Sequence, residues 1–265
     1  MGEGVWLSFF LIKIRWWRRR SRRHQNFIHT IIHLPLIFIN FLLKTPAMNL
    51  FDLLFPNRCL HCNIIIDHNE IICESCFSQV HFSHFDYNEN NILKQKCTML
   101  FPIENAFALM VFEKESLSRE IIHQLKYKKR KKVGRILADW TIENLTFRIN
   151  KPDLIVTVPL HPKKEKERGY NQLHLYANTL SKHYSIPCNH QYLQRNFYAK
   201  AQALKNKQNR AQTQHLFSVT QTYNETHFLL IDDVYTTGNT ISTLAWEILH
   251  SGKNNKVSIL VMAMD

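Results

Sequence analysis

Four stretches of the chain are apolar almost without interruption: FALMVF (107–112), DLIVTVPL (153–160), HFLLID (227–232) and KVSILVMAM (256–264). Each is bounded by polar or turn-forming segments, which predicts strands buried on both faces. Between them the apolar positions recur at the helical period and predict helices over 116–145, 171–184 and 240–249. Apolar strands alternating with helices predict an α/β fold whose parallel sheet is covered on both sides. A strand-like segment, NHQYLQR (189–195), and a long polar passage to Phe217 follow the second helix.

The N-terminal side has a different character. Residues 1–47 carry eight Lys/Arg against Glu3 alone, as a basic cluster, RWWRRRSRRH, ahead of FIHTIIHLPLIFINFLL. His29, His33, Pro35 and Asn40 interrupt that second run, which is too short for a membrane-spanning helix. The segment reads as an extension upstream of a start at Met48, or as a membrane-proximal helix if it is expressed. Without it the formal net charge falls from +13 to +6, an excess that favours phosphate-bearing partners without choosing among them.

From Met48 the amphipathic run MNLFDLLFP leads into CLHC, and CESC follows ten residues later. Two Cys-x2-Cys knuckles turn four sulfurs toward one tetrahedral ion, so Cys59, Cys62, Cys73 and Cys76 are expected to bind one Zn2+. Four thiolates close the coordination shell, which makes the metal structural. Thiols at metal spacing suit a reducing compartment and predict a cytoplasmic protein. Cys97 and Cys188 have no partner at ligand spacing and read as small buried hydrophobes. Residues 80–100, with HFSHFDYNENNILKQKC, read as a polar connector, giving a ribbon and linker over 48–100 and an α/β domain over 101–265.

The densest chemistry is FLLIDDVYTTGNTI (228–241): a buried strand, two aspartates, then threonines around one glycine before a helix. Ligands of open α/β sheets bind at the carboxyl ends of the strands. A tight turn at Gly238 leading into a helix N-terminus offers backbone N–H donors to a phosphate, with hydroxyls from Thr236, Thr237 and Thr240. Asp232 and Asp233 would repel that phosphate, so they face another part of the ligand, one rich in hydroxyl donors. A phosphorylated sugar meets both demands. Six glycines, at 2, 4, 134, 169, 238 and 252, leave no G-x-G-x-x-G and no Walker A loop.

FLLIDDVYTTGNT resembles the 5-phosphoribosyl 1-pyrophosphate (PRPP) motif of type I phosphoribosyltransferases. The resemblance implies a Rossmann-like parallel sheet, a 5-phosphate held by Thr236, Thr237, Gly238, Asn239 and Thr240, and ribose hydroxyls held by Asp232 and Asp233. The four-cysteine ribbon, LKYKKRKKVGRILA, VPLHPKKEKERGYNQ and the PRPP loop occur in the same order in the ComF family, and the similarity covers about residues 48–265. Some members carry a second pair of Cys-x2-Cys elements, absent here, and many have Asn where this chain has Thr213. Several ComF proteins are associated with uptake of single-stranded DNA during natural transformation.

Transfer from PRPP develops positive charge at the ribose while pyrophosphate leaves, so a transferase needs a phosphate clamp, carboxylates at the sugar and cations for the leaving group. Mg2+ supplies part of that last requirement. Lys163, Lys164 and Arg168 are the candidate pyrophosphate contacts. The run KYKKRKK, Lys126 to Lys132, either attracts nucleic acid, with Tyr127 available for stacking, or is a solvated helix end. Two functions therefore stand: a Mg2+-dependent phosphoribosyltransferase acting on a nitrogenous acceptor, and a non-catalytic DNA-uptake accessory that binds single-stranded DNA or nucleotide.

Overall fold

The four apolar stretches all become strands of one sheet. The computed structural model describes residues 55–113, 115–127, 131–169, 171–195 and 216–265. The readings made of residues 1–47, of the Met48 start, of Lys128 to Arg130 and of Thr213 lie outside these. The described elements are α1 (Glu74–Phe77), α2 (Ile92–Thr98), β1 (Ala106–Val111), α3 (Leu117–Tyr127), α4 (Lys131–Asn144), β2 (Leu154–Thr157), α5 (Pro162–Arg168), α6 (Gln172–Tyr184), β3 (Cys188–Asn189), β4 (Leu193–Arg195), β5 (Phe217–Val219), β6 (His227–Tyr235), α7 (Asn239–His250) and β7 (Lys256–Met264).

Strand order is β1-β7-β6-β2-β3, with every pair parallel, and β4 with β5 forms a separate antiparallel pair. Side chains alternate across the sheet as the two-residue period requires. Phe107, Leu109, Ile155, Leu229, Ile231, Leu260 and Met262 face one hydrophobic cluster with α3, α4 and α6. Ala106, Ala108, Leu154, Val156, Phe228, Leu230, Ile259 and Val261 face the other, with α2 and α7. Both faces are dry, which is why these strands show no polar alternation. No helix among the described residues is long and apolar enough to cross a membrane.

Three local expectations change. β6 does not stop at Asp232: it continues through Asp233 to Tyr235 because β7 supplies parallel partners that far, pairing Asp232 with Val261 and Tyr235 with Met264. VPLHPKKEKERG, over which no helix was expected, contains one, α5. Pro162 opens it with a preset φ, the His161 ring accepts from the Lys163 amide at 3.2 Å, and Gly169 closes it in the left-handed region at φ 74°. The predicted 116–145 helix is described as α3 and α4.

The ribbon and the sheet lie in one compact unit, Pro56–Asp265. The 80–100 segment carries buried anchors of its own: Val80, Tyr87, Leu93 and Cys97 are all buried, and Asn91 caps α2 by accepting from the Lys94 amide at 3.0 Å. It also covers the free edge of β1, where the Val111 amide donates to His81 at 2.8 Å and Phe82 bridges Met110. Ribbon residues Ile71, Ile72 and Val80 belong to the same cluster as α3 and α4. Trp140 of α4 meets Phe77 and Phe82 edge-on, with ring centroids 5.1 and 5.8 Å away.

Candidate functional site

The ribbon brings the four predicted cysteines together. Their sulfurs lie within 4.8 Å of one another, with Cys62 and Cys73 at 3.5 Å, and all but Cys62 are buried. A tetrahedral ion bonded at about 2.3 Å would hold its sulfurs about 3.8 Å apart, so the donor set fits Zn2+. Each knuckle is a tight turn: the Asn63 amide donates to the Cys59 carbonyl at 3.1 Å, and the Cys76 amide reaches the Cys73 sulfur at 3.5 Å. Burial raises the Cys59 thiol, but the amides of Cys73, Cys62 and His61 together outweigh it and bring the group down to about 6, whereas burial and the neighbouring sulfurs push the Cys76 thiol up. Cys97 is fully buried, as expected of a hydrophobe, and Cys188 is half-buried.

A second constellation forms at the carboxyl edge of the sheet, where β6 delivers Asp232 and Asp233. Asp233 is held on both oxygens. Lys126, in the last turn of α3, places Nζ 2.9 Å from Oδ1, and Gln172, the first residue of α6, donates from Nε2 to Oδ2 at 2.9 Å. In the sequence the two partners are members of separate motifs, KYKKRKK and VPLHPKKEKERGYNQ; the structure joins each to the acidic pair. Buried Leu117, Ile121, Ile122 and Leu125 seat α3 on the sheet and bring Lys126 to its place beside them. Gln172 is fixed by the Asn171 cap, which accepts from the Leu173 amide at 2.9 Å, and by the close passage of α4. At that crossing a Cβ on Gly134 would lie 3.4 Å from the Gln172 carbonyl.

Asp232 is less comfortable. Burial, then the neighbouring charge of Asp233, push its carboxyl up to about 8, against the Asp233 amide, which donates to Oδ1 at 2.8 Å, and Lys126. A carboxyl whose folded pKa exceeds its unfolded value costs nothing while both states are protonated, and lowers stability progressively as pH rises toward the folded pKa. Asp232→Asn is therefore expected to stabilise the free protein by ~1–3 kcal/mol near pH 8, with the gain vanishing near pH 4. Chemical unfolding of the two forms across that range checks it; a gain that does not grow with pH would count against the assignment.

The loop after β6 is short. Gly238 sits at φ 74° and opens α7, which has no side-chain cap there, so the first-turn amides face the loop. Thr236, Thr237, Asn239 and Thr240 are exposed around it, while Gly238 itself is buried. Of the candidate pyrophosphate residues, Lys163 is exposed on α5; Lys164 and Arg168 lie on the same helix, and their side chains fall outside the described ones.

A histidine pair adjoins this edge, and no sequence signal marked it. His190 and His174 stack with centroids 4.0 Å apart. Asn178 Oδ1 lies 2.9 Å from His190 Nε2, and Thr157 Oγ1, at the end of β2, lies 3.2 Å from Nδ1. Burial, then His174, push His190 down to about 4, so it is neutral and accepts at Nδ1 from the threonine hydroxyl. It thereby ties down the root of the segment leading into α5.

The double zinc ribbon domain family matches residues 50–86. Among the described residues the structure holds one four-cysteine cluster. The chain is 30% identical over 219 residues to Competence protein F of Haemophilus influenzae, covering 72% of this chain and 90% of that protein. It is 35% identical over 117 residues to Competence protein ComFC of Bacillus subtilis, covering 43% of this chain and 46% of the relative. It is 27% identical over 138 residues to the DNA utilization protein YhgH of Escherichia coli, covering 50% of this chain and 61% of the relative. For the last two the match spans less than two thirds of the relative's length.

Proposed function

Because this chain belongs to the ComF family, we propose that it is a PRPP-binding protein of DNA uptake, with Asp232 and Asp233 reading the ribose hydroxyls and the loop from Thr236 to Thr240 reading the 5-phosphate. The observation that carries this is the convergence on Asp233 of three separate motifs, through Lys126 and Gln172, at the sheet edge where such ligands sit. An acid locked by a cation and an amide keeps a defined face toward a sugar. Mg2+, carried by ligand oxygens and water with Asp232 and Asp233 as the nearest carboxylates, would supply positive charge to the pyrophosphate. Lys163, Lys164 and Arg168 of α5 are the protein's own candidates for that half of the ligand.

Two readings of the outcome follow from the same pocket. In one, the phosphoribosyl group passes to a nitrogenous acceptor. In the other, favoured by the names of the relatives, competence and DNA utilization proteins, the pocket binds without transfer, and the run from Lys126 to Lys132 attracts single-stranded DNA. Calorimetric titration with PRPP and Mg2+ is expected to show saturable binding, weakened at least about tenfold in Asp233→Asn, the loss of one charge-assisted hydrogen-bond set. Pyrophosphate release against a panel of bases and amines separates the readings: release in any case supports transfer, and tight binding with none supports the second. No binding of PRPP at all would sink the proposal.

A further inference from the structure

Asp233 has more partners than a ribose contact needs, and one of them is a cation. The Lys126 and Asp233 side chains are 23% and 14% exposed, so their pair at 2.9 Å is largely withdrawn from water and is not a loose surface contact. Each carboxylate oxygen accepts about two hydrogen bonds. Lys126 occupies one position on Oδ1 and Gln172 one on Oδ2, which leaves capacity on both oxygens for a diol. Among the described residues Lys126 is also the cation whose charge acts on Asp232. Removing it would leave two adjacent carboxyls at one strand end, facing a ligand that is itself polyanionic.

We infer that Lys126 is a positioning residue of the phosphoribosyl site: it neutralises the acidic pair and fixes the rotamer of Asp233, so that a sugar carrying phosphates can approach carboxylates without net repulsion. This rests on the PRPP reading above. It assigns Lys126 to the sugar half of the site through Asp233, and not to the phosphates directly. The first residue of the basic run thus acts differently from a residue that merely adds positive surface charge.

The experiment is a double-mutant cycle on the full chain, read as PRPP affinity in the presence of Mg2+ by titration calorimetry. Lys126→Met is expected to weaken binding by about 10- to 100-fold, and Lys126→Arg by less than about 5-fold, since the guanidinium keeps charge and donors. In an Asp233→Asn background, Lys126→Met should cost less than about 3-fold, because the group it acts through is gone. Thermal unfolding of each variant identifies any that fail to fold. Should Lys126→Met be one, Lys126→Gln takes its place, keeping a donor for Asp233 while dropping the charge. Wild-type affinity in the folded Met or Gln variant overturns the inference alone. So does a loss that persists undiminished beside Asp233→Asn, which would assign Lys126 to a phosphate. Failure of the wild-type chain to bind PRPP overturns the reading beneath it as well.

Discussion

Cys76→Ser, or exhaustive chelation of the wild-type chain, is expected to strip about one Zn2+ per chain and to unfold the ribbon around it. Among the described residues the ribbon's regular structure is the four-residue α1 and a bridge from Arg58 to Ile65, and its cysteines sit where four sulfurs converge within 4.8 Å. A structural zinc site of this kind carries an apparent binding free energy of about 10–16 kcal/mol at neutral pH in isolated fingers, and that binding energy is folding energy. Losing it should also uncover Ile71, Ile72 and Val80, and with them the side of α4 that Trp140 presents to Phe77 and Phe82. Elemental analysis gives the metal count, and calorimetric unfolding gives the melting point, expected to fall by more than ten degrees, given that ~1 kcal/mol moves a domain of this size by about 2–4 °C. A serine variant with full zinc content, or a metal-free chain with unchanged melting, would contradict the assignment.

Gly238→Val is expected to weaken ligand binding severely. At φ 74° an L side chain strains the backbone, by about 1–2 kcal/mol. A Cβ there would also stand 2.6 Å from the Tyr235 hydroxyl and 2.7 Å from Leu100 Cδ1. Tyr235 is 3% exposed and cannot swing into solvent, so overpacking adds about 1–3 kcal/mol. The turn must open to relieve both, and opening it turns the first amides of α7 away from a common point. PRPP affinity should fall by at least about 30-fold while the sheet remains folded with a lowered melting point, a loss in keeping with several amide hydrogen bonds to a phosphate. Titration calorimetry beside far-ultraviolet circular dichroism measures both. Undiminished affinity in a folded Val variant would mean that the loop is not the phosphate reader.

What could be read from the sequence was whatever depends on a residue's neighbours in the chain. The apolar runs marked β1, β2, β6 and β7 because strands dry on both faces lose their polar alternation. The x2 spacings marked the zinc ligands because a knuckle is a local turn. The extension of β6 through Asp233 could not be read, since it depends on β7 lying alongside. Nor could the anchoring of residues 80–100, where Tyr87, Leu93 and Cys97 are spaced widely among Asn and Lys, and are buried by partners distant in the chain, Tyr87 against Phe147 and the other two in the cluster that contains α7. The same limit hid the ties to Asp233. Lys126 lies 107 positions before it and Gln172 61 positions before it, and nothing in a basic run says which of its members turns inward.

The shared hydrophobic cluster gives the zinc a longer reach than its four sulfurs. Ile71 and Ile72 of the ribbon lie in the same cluster as Ile121, Ile122 and Leu125 of α3, and the residue after Leu125 is Lys126. The metal thus works as a rivet at one end of a plate whose other end meets the acidic pair. In engineering terms the ribbon is not a cartridge that can be exchanged or trimmed while the pocket is kept. Its graft onto another sheet would have to bring α3 and α4 along.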